Sequence, residues 1–533
     1  MRVLNAGQMR DADRRTIEGL GIPARTLMER AGQQVAAVVV RDFGPMRGRR
    51  VVVICGRGNN GGDGFVTARA LVEAGADVQV LVLGALDGVK GDARDALAAL
   101  RDIHDVVEVG DTAAWASWRP AVRSAAVIVD AITGTGFNPP LTGLAGTVVD
   151  DVNAAGVPVV AVDLPSGLSA DSASVNGEAI EAAVTVALAA PKIPHVLAPA
   201  EGWVGRWEVA DIGIPVDVID AVTGPVLDLV TPARLRPLVP RRSPSSHKGQ
   251  FGRVLIVAGS VGKTGAAYLS AMGALRSGAG LVTVATPKSC VPVVAALGAE
   301  YMTWPMPEDD AGRMTDGAVE DLLAFDADVT AVGPGLGRSP ALDKLVAALA
   351  ARSKSPLVLD ADALNALAEK HVGYVFREAE KHTRHVFSTP AVLTPHPGEM
   401  ARLSGLSIEA VQADRVGVSQ RLAAGLNAHV VLKGHRTLVT SPDGRVSIND
   451  SGNPGMATAG TGDVLTGAIT AWMAQLRDPA AAAALAVYLH GRAGDLAAAA
   501  QSEVAMVAGD LLAHLGAATL ELISLTGGEA ARR

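Results

Sequence analysis

The stretch Asn453-Pro-Gly-Met-Ala-Thr-Ala-Gly-Thr-Gly-Asp463 runs directly into an apolar helical pattern, Val464 to Trp472. Glycines that open a helix leave unpaired amides and the positive end of the helix dipole facing outward, which suits phosphate oxygens. A carboxylate there, Asp463, has the chemistry to take a proton from a hydroxyl that attacks phosphorus, although Asp is also a favoured helix cap. The same half carries Val332-Gly-Pro-Gly-Leu-Gly337, Asp360-Ala-Asp-Ala-Leu-Asn365, Thr394-Pro-His-Pro-Gly-Glu399 and Leu432-Lys-Gly-His-Arg-Thr437, each after a predicted strand. Ligands of an open parallel sheet bind beyond the carboxyl ends of its strands, so these loops converge on one crevice. Taken singly, His396 also reads as a turn residue and Lys433 as a solvated lysine. The turn Gly259-Ser-Val-Gly-Lys-Thr-Gly265 lacks P-loop spacing, because only Ser260 and Val261 separate its first glycine from Gly262-Lys263.

In the first half, Gly56-Arg-Gly-Asn-Asn-Gly-Gly-Asp-Gly64 follows the apolar run Val51 to Cys55 and precedes a helix expected from about Phe65 to Ala74. Gly56, Gly58 and Gly61 meet the dinucleotide-fingerprint spacing, a weak signal alone, while Asn59, Asn60 and Asp63 add polar groups that a plain phosphate loop does not require. Two more strand ends carry acids: Asp130 leads into Ala131-Ile-Thr-Gly-Thr-Gly136, and Asp163 into Leu164-Pro-Ser-Gly167. One carboxylate with amide, hydroxyl and backbone oxygens makes a cage for a hard cation, and its low charge suits a monovalent ion. Each aspartate singly reads equally well as a helix cap or a turn residue.

Elements that place these loops follow from the hydrophobic pattern. Short β-branched runs at Val51–Cys55, Val78–Leu83, Ala126–Val129 and Val157–Val162 alternate with helix-length segments, the pattern of a parallel sheet with crossover helices. The alternation restarts at Arg253–Ala258 and continues through Gly280–Ala285, Val329–Val332, Pro356–Asp360 and His429–Leu432, before an Ala-rich, helical last third. A chain of 533 residues exceeds one hydrophobic core. Prolines accumulate from about Gly224 to Ser246, so two α/β domains are expected, 1–224 and 225–533. The net charge of −8 and 3% aromatic content argue against a nucleic-acid binder, since phosphate backbones call for basic surface and single strands for exposed rings. Cys55 and Cys290, one in each half, cannot build a disulfide framework or a cysteine metal site, and Cys55 reads as a core thiol. Met1 to Asp11 lacks the apolar stretch of a secretory signal, and Ala480 to Leu489 reads as a buried helix, too short to span a bilayer.

Residues from about 230 to 525 resemble the ribokinase-like superfamily and, within it, the nicotinamide-nucleotide hydrate dehydratases, through the ordered set His247-Lys-Gly, Gly-Pro-Gly-Leu-Gly, Asp-Ala-Asp-Ala-Leu-Asn, His-Pro-Gly-Glu, Lys-Gly-x-x-Thr and Ala-Gly-Thr-Gly-Asp. The resemblance implies that Ala266, Gly337, His396 and Asp463 contact a hydrated nicotinamide nucleotide. Lys433, Gly434, His435, Arg436, Thr437 and Gly462 would hold ADP or ATP, with magnesium. Residues 1 to about 220 resemble the NAD(P)H-hydrate epimerases through Asn-Asn-Gly-Gly-Asp-Gly, Asp-Ala-x-x-Gly-Thr-Gly and Asp-x-Pro-Ser-Gly, on an expected Rossmann-like, three-layer parallel sheet. That resemblance implies substrate contacts from Asn59, Asn60, Gly61, Gly62, Asp63, Gly134, Thr135, Gly136, Phe137, Asn138, Pro139, Pro140 and Asp163, a potassium ion at Asn60, Asp130 and Ser166, and proton transfer by Asp163. Lys192, in Pro191-Lys-Ile-Pro-His195, is a further possible contact. Together the halves imply a bifunctional cytoplasmic enzyme, an isomerase joined to an ADP- or ATP-dependent lyase, that returns hydrated NADH and NADPH to use. The expected partners are those small molecules and a second copy of the chain in a homo-oligomer, with no nucleic acid and no membrane. A small-molecule kinase is the competing reading of the second half, and a non-catalytic binding module that of the first.

Overall fold

Valine-rich strands that read as unbroken apolar runs form sheets covered on both faces. A computed structural model describes residues 1–368 and 386–525 and divides the chain into two units, Met1–Gly224 and Pro225–Arg533.

In the first unit the strands are β1 (Arg50–Cys55), β2 (Asp77–Leu83), β3 (Val106–Val109), β4 (Val127–Ala131), β5 (Val159–Val162), β6 (Val184–Leu188) and β7 (Arg206–Ala210). They run in the order β3-β2-β1-β4-β5-β6-β7 with every pair parallel. Alternate residues of β1 enter different cores: Val51, Val53 and Cys55 pack on one face, Val52 and Ile54 on the other. This is the helix-sheet-helix sandwich expected. The order reverses between β1 and β4, so the loops after these strands open a crevice at a topological switch point. Helix α1 (Ala6–Arg14), α2 (Ala24–Phe43) and α3 (Asn59–Glu73) matter to that crevice.

The helix expected from about Phe65 begins six residues earlier in the loop itself, with Gly58 as its extended cap. Packing explains its glycines: a Cβ on Gly61 would lie 2.0 Å from the Gly56 carbonyl oxygen, and one on Gly64 would lie 2.7 Å from Cys55 Sγ. The helix is pressed onto the strand that feeds it, and only Gly fits.

In the second unit the strands are β8 (Leu227–Leu229), β9 (Arg253–Val257), β10 (Leu281–Pro287), β11 (Met302–Met306), β12 (Val329–Val332), β13 (Leu357–Leu359), β14 (Ala391–Leu393), β15 (His429–Leu432), β16 (Leu438–Thr440) and β17 (Val446–Ile448). Their order is β8-β17-β16-β15-β14-β13-β12-β9-β10-β11, parallel except where β16 pairs with β15 and β17. Here the switch point falls between β9 and β12, and the loops after both meet: the Gly259 amide donates to the Pro334 carbonyl at 2.8 Å, and Ser260 Oγ to the Gly335 carbonyl at 2.7 Å. The Ala-rich end of the chain supplies α6 (Thr461–Leu476), α7 (Pro479–Gln501) and α8 (Ala508–Ser524), which join one core with α4 (Thr264–Arg276), while α5 (Pro397–Ser404) follows β14. Gly467 lets α6 lie against α4, since its Cβ would stand 2.0 Å from the Ser270 carbonyl oxygen. Among the described residues no helix is long and apolar enough to cross a membrane.

Candidate active sites

In the first unit the crevice deepens into a cavity of about 580 Å³ whose lining includes Asn59, Asn60, Asp63, Thr133 to Phe137, Asp163 and Lys192. Gly61 and Gly62 are buried in α3 behind it, and Asn138, Pro139 and Pro140 continue the loop from Phe137. Asp163 sits just after β5 with φ of 66°, a left-handed conformation that a side-chain-bearing residue keeps only when its surroundings hold it there. The holders are clear: its backbone amide donates to the Val186 carbonyl, and the Leu188 amide donates to Asp163 Oδ1 at 3.1 Å. Thr135 Oγ1 donates to Oδ2, and Lys192 Nζ donates to Oδ1 and, at 2.8 Å, to the Leu188 carbonyl. Lys192 is fully buried. Burial pushes the Asp163 carboxyl up, but Lys192, Thr135 and the Leu188 amide override it and hold the group below its ordinary range. The sequence left Lys192 open; the fold makes it the counter-ion of Asp163.

Other acids in the cavity behave oppositely. Burial, with the charges of Asp163 and Asp13 nearby, keeps Asp63 well above the usual carboxylate range. It does not cap α3, whose cap is Gly58. Burial likewise raises Asp13, on α1, to about 6, with Lys192 opposing and Asp163 assisting. Nothing in the sequence singled out Asp13, which stands among Arg10, Arg14 and Arg15.

Asp130, Ser166 and Asn60 converge through Thr133. Asp130 Oδ1 accepts from Ser166 Oγ at 2.6 Å and Oδ2 from the Ser166 amide at 2.8 Å. Ser166 Oγ accepts from the Thr133 amide at 2.9 Å, and Asn60 Nδ2 donates to the Thr133 carbonyl at 2.8 Å. Burial lifts the Asp130 carboxyl to about 6, offset by the bonds from Ser166, and no side-chain cation pairs with it among the described residues. A lone buried carboxylate among hydroxyl, amide and carbonyl oxygens is a donor set for a hard, singly charged ion. Among the described residues no cluster of His, Cys, Asp and Glu fits a transition metal.

In the second unit Asp463 lies in the first turn of α6, whose cap is Gly460, so Asp463 is not spent on capping. Burial and the neighbouring Asp360 charge raise it to about 7, against the pull of Lys433. Lys433 Nζ donates to Asp360 Oδ1 at 2.7 Å, stands 3.8 Å from Glu399 Oε2, and abuts Gly462, where a Cβ would lie 3.4 Å away. Thr466 Oγ1 donates to Asp360 Oδ2 at 2.7 Å. Burial works against the Lys433 charge, yet Asp360 and Glu399 hold its pKa above the ordinary value. It is an ammonium fixed among acids, not a solvated lysine.

His396 caps α5 with its side chain: Nδ1 accepts from the Gly398 amide at 3.0 Å, and its own amide donates to Glu399 Oε2 at 2.8 Å. With Nδ1 accepting, the ring proton belongs on Nε2. Burial and the nearby cations Lys433 and Arg402 lower its pKa, so the ring is neutral at pH 7. The Gly337 amide donates to Asp362 Oδ2 at 2.7 Å, and Lys263 reaches the same oxygen at 3.4 Å. Ala266, near the start of α4, faces Gly335, where a Cβ would come within 2.9 Å of its own.

Beside this cluster lies a cavity of about 520 Å³ lined by Lys433 to Thr437, Asn453, Gly462 and, unforeseen in the sequence, Asn449 to Gly452 and His490. His490 is neutral, lowered to about 4 by burial, and its Nε2 meets the Thr461 carbonyl at 2.9 Å. Arg436 takes φ of 53°. The backbone of Lys433 is fixed from behind by Arg415, which donates to the carbonyls of Leu432 at 3.1 Å and Lys433 at 3.3 Å.

A family model described as NAD(P)H-hydrate dehydratase matches residues 254–516, and one described as YjeF-related protein N-terminus matches residues 24–193. The chain is 44% identical to the bifunctional NAD(P)H-hydrate repair enzyme of Moorella thermoacetica, over 97% of this chain and 96% of that protein. It is 38% identical to the enzyme of the same description in Thermofilum pendens, over 93% and 92%. Among solved structures, the ADP/ATP-dependent NAD(P)H-hydrate dehydratase of Bacillus subtilis, co-crystallized with ATP/Mg2+, is 31% identical, with a TM-score of 0.48, over 55% of this chain and 98% of that one.

Proposed function

The chain belongs to the bifunctional NAD(P)H-hydrate repair enzymes, and from that premise we propose that Met1–Gly224 epimerises hydrated NADH and NADPH while Pro225–Arg533 dehydrates one epimer with ADP or ATP as phosphoryl donor. The carrying observation is Asp463: a raised carboxyl in the first turn of α6, one residue from Gly462 and close to the half-buried Lys433 ammonium. Water adds to the enamine double bond of the reduced ring at the carbon beside nitrogen, and hydroxide is a poor leaving group. Asp463 takes the hydroxyl proton as that oxygen attacks the terminal phosphorus, and the nucleotide leaves as AMP from ADP or as ADP from ATP. The ring nitrogen then expels phosphate, and loss of the neighbouring carbon's proton restores the double bond. Lys433, held by Asp360 and near Glu399, supplies fixed positive charge to the migrating phosphoryl group.

Nucleotide would occupy the cavity formed by Lys433, Gly434, His435, Arg436, Thr437 and Gly462, with magnesium as part of that substrate. Ala266, Gly337 and His396 would border the hydrated nicotinamide, His396 as a neutral donor through Nε2. In the first unit Asp163 would transfer the proton, with Asn59 to Asp63 and Gly134 to Pro140 around the substrate. Asn60, Asp130 and Ser166 would hold potassium, for which their oxygens and the uncompensated Asp130 fit. Such an ion would supply the charge that lets Asp130 stay ionised and tie the two loops together.

The test is recovery of reduced-nicotinamide absorbance from an epimer mixture of hydrated NADH with ATP or ADP. The wild type restores both epimers, Asp463→Asn restores none, and Asp163→Asn restores one epimer's share in the fast phase. No recovery by the wild type sinks the assignment, and fast consumption of both epimers by Asp163→Asn sinks the role of the first unit.

A further inference from the structure

Epimerisation needs two proton transfers, and the cavity holds acids in opposite states. A base removes the hydroxyl proton, the C–N electron pair moves onto nitrogen, and an acid delivers a proton there. The product is a ring-opened aldehyde; rotation and reclosure from the other face return both protons and give the other epimer. No external reactant is required.

We propose that Asp13 is the proton donor of this pair, acting with Asp163 on the hydrated ring. The inference rests on the epimerase reading of the cavity. Met9, Asp13 and Ile17 share one face at spacing of four residues and line the cavity that Asp163 and Lys192 line. The element carrying Asp13 is tied to the segment carrying Lys192: the Leu4 amide donates to the Pro191 carbonyl at 2.9 Å, and Leu4 bridges to Lys192 as in a parallel ladder. An Asn5–Gln8 capping box and a 2.7 Å bond from the Ala6 amide to Asp171 Oδ1 fix the start of α1. After Arg14 the helix widens into a π-turn over Arg15–Gly19, the kind of interruption that gathers at functional sites.

Asp163, Asp63 and Lys192 face Asp13, while Arg10 and Asp92 line the same cavity. Environments that push two carboxyls apart mark which one gives and which one takes. Asp163, bonded to Lys192, stays ionised to accept; Asp13, half-buried and raised by burial to about 6, carries a proton to give below that pH and in a minor fraction of molecules at pH 7. Asp63 has no bonded role in fixing Asp163, and its burial makes it a neutral wall.

The experiment uses the full chain and isolates the epimerase step by adding a separate dehydratase in excess. Asp13→Asn is expected to lower the epimerase kcat about 100-fold or more, leave KM and the chain's own dehydratase rate unchanged, and remove the decline in kcat/KM as pH rises above about 6. Asp13→Glu should restore part of the rate together with that decline. Asp163→Asn is the control on the underlying reading: if it leaves epimerisation intact, the cavity assignment itself fails. If it abolishes epimerisation while Asp13→Asn keeps the wild-type kcat and pH profile, Asp13 is not the donor. Loss of the alkaline decline in Asp63→Asn and not in Asp13→Asn would transfer the role to Asp63 and overturn the proposal.

Discussion

Replacing Lys192 with Met deletes one charge from a fully buried pair and little volume, so the cost reports the electrostatics of Asp163. Breaking a buried pair by removing one partner costs about 3–5 kcal/mol, because the remaining charge is left uncompensated. The native variant has an escape: Asp163 can take up a proton. Each pH unit above the ordinary value of 3.8 makes that costlier by about 1.4 kcal/mol. Neutralisation therefore caps the loss at about 4 kcal/mol at pH 7 and about 1.6 kcal/mol at pH 5. At roughly 2–4 °C per kcal/mol for a unit of this size, the melting temperature falls by roughly 6–16 °C at pH 7. The sign follows from proton counting. In the variant the native state binds a proton that the unfolded chain releases above about pH 4, so its stability falls as pH rises and the gap to wild type widens from pH 5 to pH 7. In the wild type the shift runs the other way: the lowered Asp163 contributes stability above the ordinary value and loses it as pH falls through the lowered one. Scanning calorimetry at pH 5, 6 and 7 measures this, with adenine nucleotide added to identify the transition of the second unit. The double variant Lys192→Met/Asp163→Asn should recover most of the loss, since Asn keeps partners for Thr135 and the Leu188 amide. A single variant that melts with wild type at pH 7, or a gap that does not change with pH, refutes a buried, mutually dependent pair.

For the dehydratase, Asp463 must be ionised to act as a base, so kcat/KM should fall as pH drops below about 7, with one-proton slope. A profile flat from pH 8 to pH 5.5 would remove Asp463 from that role. Gly467→Ala, which sets a methyl 2.0 Å from the Ser270 carbonyl, should force α4 and α6 apart and cost about 1–3 kcal/mol in urea titration of the second unit; stabilisation, as expected of an exposed helical Ala, would contradict that contact.

Loop chemistry was legible wherever it sat at the end of a predicted strand. The glycine turns after β1 and β12, the acid at the end of β4 and those just after β5 and β13 were all readable, because a parallel sheet sends such loops to one edge. What the sequence could not yield were pairings across long separation. Lys192 and Asp163 are 29 residues apart, and Lys433 and Asp360 are 73 apart. Only the order of strands in each sheet brings these partners together. Asp13 had no local signal because it stands in a run of charged residues, and only the fold turns one face of its helix to the cavity. The helix at Asn59 starts early for a related reason. Glycine lowers local helix propensity, and the close approach that requires it is tertiary.

Both units set a lysine near the acid assigned to proton transfer, Lys192 fully buried and Lys433 half-buried, yet they deploy it differently. In the first, Lys192 is bonded to Asp163 itself, and the carboxylate is held ionised. In the second, Lys433 is bonded to Asp360, which Thr466 also holds, and Asp463 feels the lysine only through space while burial and the Asp360 charge raise it to about 7. The difference matches the chemistry. A base that must take a proton from an alcohol at neutral pH gains from a raised pKa. Asp163 also accepts a proton from an alcohol, but among the raised carboxyls of its cavity it must first stay ionised, and an ammonium at bonding distance secures that at some cost in basicity. Exchanging the arrangements should therefore disable both units in opposite ways: an ammonium bonded to Asp463 would weaken the base, and an Asp163 freed of Lys192 would hold its proton and leave the ring hydroxyl without an acceptor.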